Sequence, residues 1–162
     1  MSITNFIFGL TITFLTVGSV DAQMHDNSFG TGGVSKLNVN DGGLDQLVDM
    51  TVASDGSIYV LGYTFAGSNQ NIVVARYQTN GQLDATFGGF GPMMPGTVVV
   101  DIYGKDIPGA IRVLDDGKIL VGCYVQDRGV TLLRLEELGH NDVTFGADHS
   151  GVVHIETPFP TV

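Results

Sequence analysis

The stretch that decides the fold is Asp84-Ala85-Thr86-Phe87-Gly88, because the chain carries it three times. Asp26-Asn27-Ser28-Phe29-Gly30 precedes it and Asp142-Val143-Thr144-Phe145-Gly146 comes after it, at a step of 58 residues from 26 to 84 and from 84 to 142. A fixed period of this size marks an architecture in which one unit recurs and buries its faces against its neighbours. Arg76, Gly81 and Asp84 map onto Arg134, Gly139 and Asp142 at the same step. Further out, Asp55-Gly56-Ser57-Ile58-Tyr59-Val60 returns as Asp116-Gly117-Lys118-Ile119-Leu120-Val121 at a step of 61, and Tyr63 falls on Tyr124. The mismatch between the two steps is loop behaviour: extra residues lie around 89–96, and the loop between Tyr124 and Val130 is shorter.

Between these markers the chain reads as short apolar runs broken by turn chemistry. In the first unit, residues 34–39, 47–53, 57–63 and 72–78 are expected as strands, interrupted by Asn40-Asp41-Gly42-Gly43, Asp55-Gly56 and Gly67-Ser68-Asn69. In the second, residues 97–103, 110–114, 118–125 and 130–136 keep the same order, and residues 151–156 supply a ninth, lone strand. Asp-Gly between apolar runs is a hairpin signal, because its turn needs positive φ. Residues 132–138 also satisfy helical spacing, but their repeat partner, residues 74–80, is β-branched, which favours strand. Ile119 to Val125 and Ile72 to Ala75 are apolar without alternation, as strands covered on both faces are. The expected fold is all-β, with two four-stranded antiparallel propeller-like blades and a partial third unit. The units run from 23–82, 83–140 and 141–162.

Leu83-Asp84-x-Thr86-Phe87-Gly88, Asp116-Gly117-Lys118-Ile119-Leu120-Val121 and Ala75-Arg76-Tyr77 with a further Gly81 resemble the delta-60 repeat family of bacterial secreted β-propeller proteins, over residues 25–157. The resemblance implies stacked blades and export. It carries no catalytic residue, because the family has no general activity. Two units and a fragment ending near Pro158-Phe159-Pro160 fall short of the roughly four blades a ring takes. The expectation is therefore a truncated chain, a self-assembling one, or one that docks on other subunits.

Composition narrows the partners. The 162 residues carry 7 Lys and Arg against 17 Asp and Glu, a formal charge of −10 that phosphate backbones and anionic lipids repel. Nucleic acid is thus excluded as an expected partner. Hydrophobic residues at 43% and charged ones at 15% supply enough apolar surface for a core. The lone Cys123 permits neither an internal disulfide nor a cysteine-rich zinc site. Residues 1–22 read as a signal peptide, since residues 3–20 lack charge, the run 6–15 is rich in Phe, Ile and Leu, and Val20-Asp21-Ala22 offers small residues for cleavage. No Lys or Arg precedes the run, and a retained membrane anchor is the competing reading. With cleavage, the mature chain is exported and not inserted in a membrane.

The candidate positions are the repeated ones. Asp26, Asp84 and Asp142 lack the ligand series of a calcium loop and are read as turn-fixing residues before the corners Phe29-Gly30, Phe87-Gly88 and Phe145-Gly146. The three phenylalanines are expected to anchor blade packing. Arg76 and Arg134 sit inside apolar strands, so each is expected to pair with a repeat aspartate as part of the framework. His25, His140, His149 and His154 lack ligand spacing. Cys123 lies mid-strand with no motif histidine nearby, as a buried inert thiol does. Gly30-Thr31-Gly32-Gly33 precedes a strand, where phosphate binding needs a helix N-terminus.

No metal, cofactor or catalytic constellation is therefore expected. The leading reading is a non-catalytic interaction or scaffold module that pairs with itself or with a protein partner. Val152, Val153, His154 and Ile155 form its candidate interaction strand. The alternative is a glycan-binding oligomeric lectin. It must do without Trp, leaving Tyr59, Tyr63, Tyr77, Tyr103 and Tyr124 as stacking platforms where exposed.

Overall fold

A computed structural model describes residues 26–39, 45–89 and 94–155. Eight strands make two four-stranded antiparallel sheets. The first sheet is β1 (Gln46–Val52), β2 (Ile58–Ala66), β3 (Asn69–Tyr77) and β4 (Thr97–Val100), hydrogen-bonded in that order. The second is β5 (Asp106–Val113), β6 (Ile119–Val125), β7 (Gly129–Leu135) and β8 (Val152–His154), again in sequence order.

Local chemistry sets the first hairpin of each sheet. Between β1 and β2, Gly56 takes φ 85°, its N–H donates to Ala53 O at 3.0 Å, and Asp55 Oδ1 accepts Ser57 N–H at 2.9 Å. Between β5 and β6, Gly117 takes φ 81° and donates to Leu114 O at 2.9 Å, while Asp116 Oδ1 accepts Lys118 N–H at 3.2 Å. An aspartate oxygen closes the turn and a glycine supplies the left-handed step. The first strand of each sheet carries an irregularity at the same repeat position, between Leu47 and Asp49 and between Pro108 and Ala110. Glycine marks the facing position in both hairpins, Gly62 and Gly122, and a Cβ on Gly62 would stand 2.3 Å from Gln46 O.

The sheets meet face to face, with β5 lying across β1, β2 and β3. Tyr59, Leu61, Ile72 and Val74 face Ile111, Ile119, Val121 and Leu133 across this junction, and Phe87 is buried among them. Strand periodicity sends these residues inward and their neighbours Ile58, Val60 and Val73 to the opposite face of the first sheet. Each fully buried Leu, Ile or Val in such a core contributes about 1.5–3 kcal/mol.

Four expectations are corrected. Residues 34–39 are not a ladder strand: only Val34 forms isolated bridges, to Gly30 and Thr31, because no strand lies beside residues 35–38 among the described residues. The strand at Thr97 does not open the second unit. It runs only to Val100 and closes the first sheet, where Val98 pairs with Val74 and Val100 with Ile72. Correspondingly, Val152–His154 begins no third unit but completes the second sheet on β7, and the described residues hold eight strands, not nine. The sheets are thus out of phase with the units 23–82, 83–140 and 141–162, since each fourth strand comes from the next repeat along. β6 is also covered on one face only: Ile119, Val121, Cys123 and Val125 are buried, while Tyr124 is 49% exposed. Residues 1–22, His25, 40–44 and 156–162 lie outside the described residues.

Candidate interaction surface

The corners at Asp84 and Asp142 are each built around an arginine from the third strand of a sheet. Arg76 Nε donates to Asp84 Oδ2 at 2.9 Å and Nη2 to Thr86 Oγ1 at 2.7 Å, with the guanidinium 5.1 Å from the centre of the Phe87 ring. Asp84 Oδ1 accepts the N–H and the hydroxyl of Thr86, at 3.0 and 2.7 Å, which fixes the turn into Phe87. The second corner repeats this: Arg134 Nε donates to Asp142 Oδ2 at 2.6 Å, Nη2 to Thr144 Oγ1 at 3.3 Å, and the guanidinium lies 4.4 Å from the Phe145 centroid. Lys118 Nζ adds a second cation, 2.8 Å from Asp142 Oδ2. That ammonium, then the Thr144 hydroxyl, holds the Asp142 carboxyl far below its ordinary range. Burial pushes the Asp84 carboxyl up, but Thr86 and Arg76 outweigh it and leave Asp84 lowered. These groups satisfy one another, and the arrangement locks a corner.

The corners also join the sheets. Arg76 Nη1 donates to Glu137 O at 3.1 Å and Gly88 N–H to Leu138 O at 3.0 Å, both across the junction. Gly139 is required opposite: it takes φ 93°, and a Cβ there would lie 2.5 Å from Val98 and 3.1 Å from the Phe87 ring. Asp49 Oδ2 ties the inner side by accepting Ile111 N–H at 3.0 Å and Arg112 Nη1 at 3.3 Å. Sequence reasoning missed Asp49 and Lys118. The available signals were an acid inside the apolar run Leu47-Val48-Asp49-Met50 and a lysine directly after Asp116-Gly117.

Two apolar faces stay open at the ends of the stack. On the second sheet Tyr124, Val130 and Ile155 are exposed and Leu120, Leu132 and Val153 half-buried. By the repeat these are the counterparts of the first-sheet residues that form the buried junction. Arg134 sits beside this open face with its side chain 23% exposed, against 8% for Arg76 at the closed one. On the first sheet the face is open along β1, where Met50 and Val52 are more than half exposed, while Val73, Ala75 and Tyr77 on β3 are buried, and a cavity of about 390 Å³ lies between this face and the segment carrying Phe29, Leu37 and Val39. That segment is anchored by Gly30 N–H to Asn80 O at 2.7 Å.

Phe87 is fully buried; Phe29 and Phe145 are half-buried. Asp26 Oδ1 accepts Ser28 N–H at 3.0 Å at the surface. Gly30, Gly88 and Gly146 all have positive φ, and a Cβ on Gly88 would lie 2.0 Å from Thr97 O. Burial pushes the Cys123 thiol up to about 12, so it stays protonated. His154 Nδ1 is 2.9 Å from Thr131 Oγ1, and His149 Nδ1 2.9 Å from Val143 O. Among the described residues no group of three or more His, Cys, Asp or Glu is placed to hold a metal, and no helix is long and apolar enough to cross a membrane.

Residues 53–87 match a family model described as a domain of unknown function (DUF5122) β-propeller. The match begins at the end of β1 and runs through β2, β3 and the Asp84–Phe87 corner, the part that recurs at residues 114–145. No curated protein and no solved structure matches the chain significantly. The two four-stranded antiparallel sheets form propeller-like blades, and the β-propeller family match over residues 53–87 agrees with that architecture.

Proposed function

We propose that the chain is a non-catalytic, exported interaction module that associates, with itself or with partner proteins, through the two open faces of its blade stack. The observation that carries this reading is the apolar character of both faces: Leu47, Met50 and Val52 at one end and Tyr124, Val130 and Ile155 at the other are each more than 40% exposed. Contiguous apolar surface of this kind is uncommon on a soluble monomer unless a partner covers it. The net charge of −10 turns the module away from nucleic acid and anionic lipid. Export rests on the uncharged stretch before Asp21. Glycan binding is less favoured, because Tyr59 and Tyr77 are buried and the Tyr103 ring is already covered by Arg128 at 4.9 Å.

The test places a charge on each face, Val52→Lys and Val130→Lys, and tracks association by sedimentation velocity and partner capture. The proposal expects each variant to keep the β circular dichroism of the parent and to lose association at its face. A parent that stays monomeric at about 100 μM and retains no protein overturns it, as does binding on a glycan array that both variants preserve.

A further inference from the structure

Resting on that reading of the open faces, we propose that a second copy of this chain docks by strand exchange. Residues 34–37 of one copy replace β8 on β7 of the next, and the open face of that second sheet settles on the open face of the first. The segment that would be exchanged is a fourth strand in every local respect except that it has no sheet. Gly33, Gly96 and Gly151 take φ 84°, 88° and 80°, and each donates its N–H to the corner phenylalanine's carbonyl, at 3.0, 2.7 and 3.1 Å. Gly96 leads directly into β4 and Gly151 into β8. Gly33 leads into Val34-Ser35-Lys36-Leu37, along which exposure alternates out and in.

The flanking contacts extend the equivalence. Gly30 N–H to Asn80 O at 2.7 Å repeats Gly88 N–H to Leu138 O at 3.0 Å, and Val39 N–H to Asp45 Oδ2 at 2.7 Å repeats Ile102 N–H to Asp106 Oδ2 at 2.8 Å. Residues 26–39 therefore sit on the first sheet as residues 84–102 sit on the second. In the second case a complete sheet hangs on β4 and packs over the junction. In the first, residues 35–37 belong to no ladder among the described residues, and the cavity of about 390 Å³ lies beside them.

The second sheet of another copy fits this place, because its open face is the repeat counterpart of the first-sheet face that already packs at the junction. Its own β8 is short, held by three residue pairs, Thr131 with His154, Leu132 with Val153 and Leu133 with Val152, and by the flanking bonds Arg134 N–H to Gly151 O and Ile155 N–H to Val130 O, both 2.8 Å. Exchange replaces those ladder bonds one for one, so they nearly cancel, and the burial of two apolar faces is the net gain. The contact is heterologous and adds two sheets per copy, so closure at four to eight blades means about two to four copies.

The test mixes two differently tagged full-length chains, one carrying Ser35→Cys and one Leu132→Cys, under oxidising conditions. The β7–β8 register puts Leu132 opposite Val153, whose counterpart is Ser35, so a disulfide between the two tags is expected. Native Cys123 is 6% exposed, and the unsubstituted chain is the control. Two prolines add opposite signs in otherwise unmodified chains. Ser35→Pro removes the incoming donor and is expected to lower the associated fraction at least tenfold; Val153→Pro weakens the resident strand and is expected to raise it severalfold. Association that gives no mixed disulfide and ignores both prolines overturns strand exchange while leaving the open faces as interaction surfaces. A chain that is monomeric and partnerless in every form overturns both.

Discussion

Truncating Phe87 to alanine removes the side chain that the corner, the first sheet and the junction share. The ring is fully buried, meets Tyr59 edge-on at 5.8 Å and 89°, lies 5.1 Å beneath the Arg76 guanidinium, and abuts the position of Gly139 in the turn after β7. Phe→Ala in a packed core costs about 3–5 kcal/mol. The edge contact adds about 0.5–1.5 kcal/mol beyond area, and the rigid backbone of two sheets limits collapse into the void, so the upper end, about 5 kcal/mol, is expected. For a domain of about 5–15 kcal/mol total stability that is a third of the whole or more. Urea unfolding monitored by circular dichroism reads it as a midpoint lowered by about 2 M, with m near 1–3 kcal/mol/M. Phe145→Ala is the internal control, because the ring at the open end is only half-buried and is expected to cost about 1–2 kcal/mol. A Phe87→Ala loss below about 1 kcal/mol, or a Phe145→Ala loss equal to it, would refute the assignment of Phe87 to the junction.

The same geometry sets four further outcomes. Gly88→Ala is expected to cost at least about 2 kcal/mol in thermal or urea unfolding, because φ 61° strains an L residue and the added Cβ would meet Thr97 O at 2.0 Å. Arg76→Met leaves Asp84 without its partner and Glu137 O without its donor, and a loss of about 3 kcal/mol is expected, larger than for Arg134→Met at the open end. Asp142 and Asp84 have carboxyls lowered in the fold, so the stability they contribute is full above the unfolded value near pH 3.9 and is lost as pH falls through the folded values. Unfolding measured from pH 5 to pH 2 should therefore fall less steeply in Asp142→Asn than in the parent. Cys123 should resist thiol reagents at pH 8 in the native state and react in denaturant; rapid native labelling would place it outside the core.

The recurrence of Asp-x-x-Phe-Gly and Asp-Gly made the turns, the strand content and the two-sheet architecture readable from the residues alone. Phase was not readable. A repeat is translationally periodic, so its sequence is the same whether a unit is cut before Thr97 or after Val100, and only the pairing of Val98 with Val74 decides. Residues 34–37 carry strand chemistry yet lack a ladder, because a strand exists only where a neighbour accepts its hydrogen bonds. The coverage of β6 failed for a related reason: Ile119 to Val125 is apolar throughout, but nothing in that run says which face meets the first sheet and which is left open. Asp49 is legible only in three dimensions, since its partners Ile111 and Arg112 lie about 60 residues away in the other sheet. The corner arginines were legible because each finds its aspartate only eight residues on, and the pair recurs at the same step.

The central claim is that the two open blade faces are made to be covered, and native mass spectrometry of the purified chain tests it most directly. Across about 1–100 μM the account predicts a discrete oligomer of two to four copies, or a stoichiometric complex with a captured protein, that gives way to monomer in Val130→Lys. A chain that remains monomeric over the whole range, with no bound protein and with Val130→Lys indistinguishable from the parent, would contradict it.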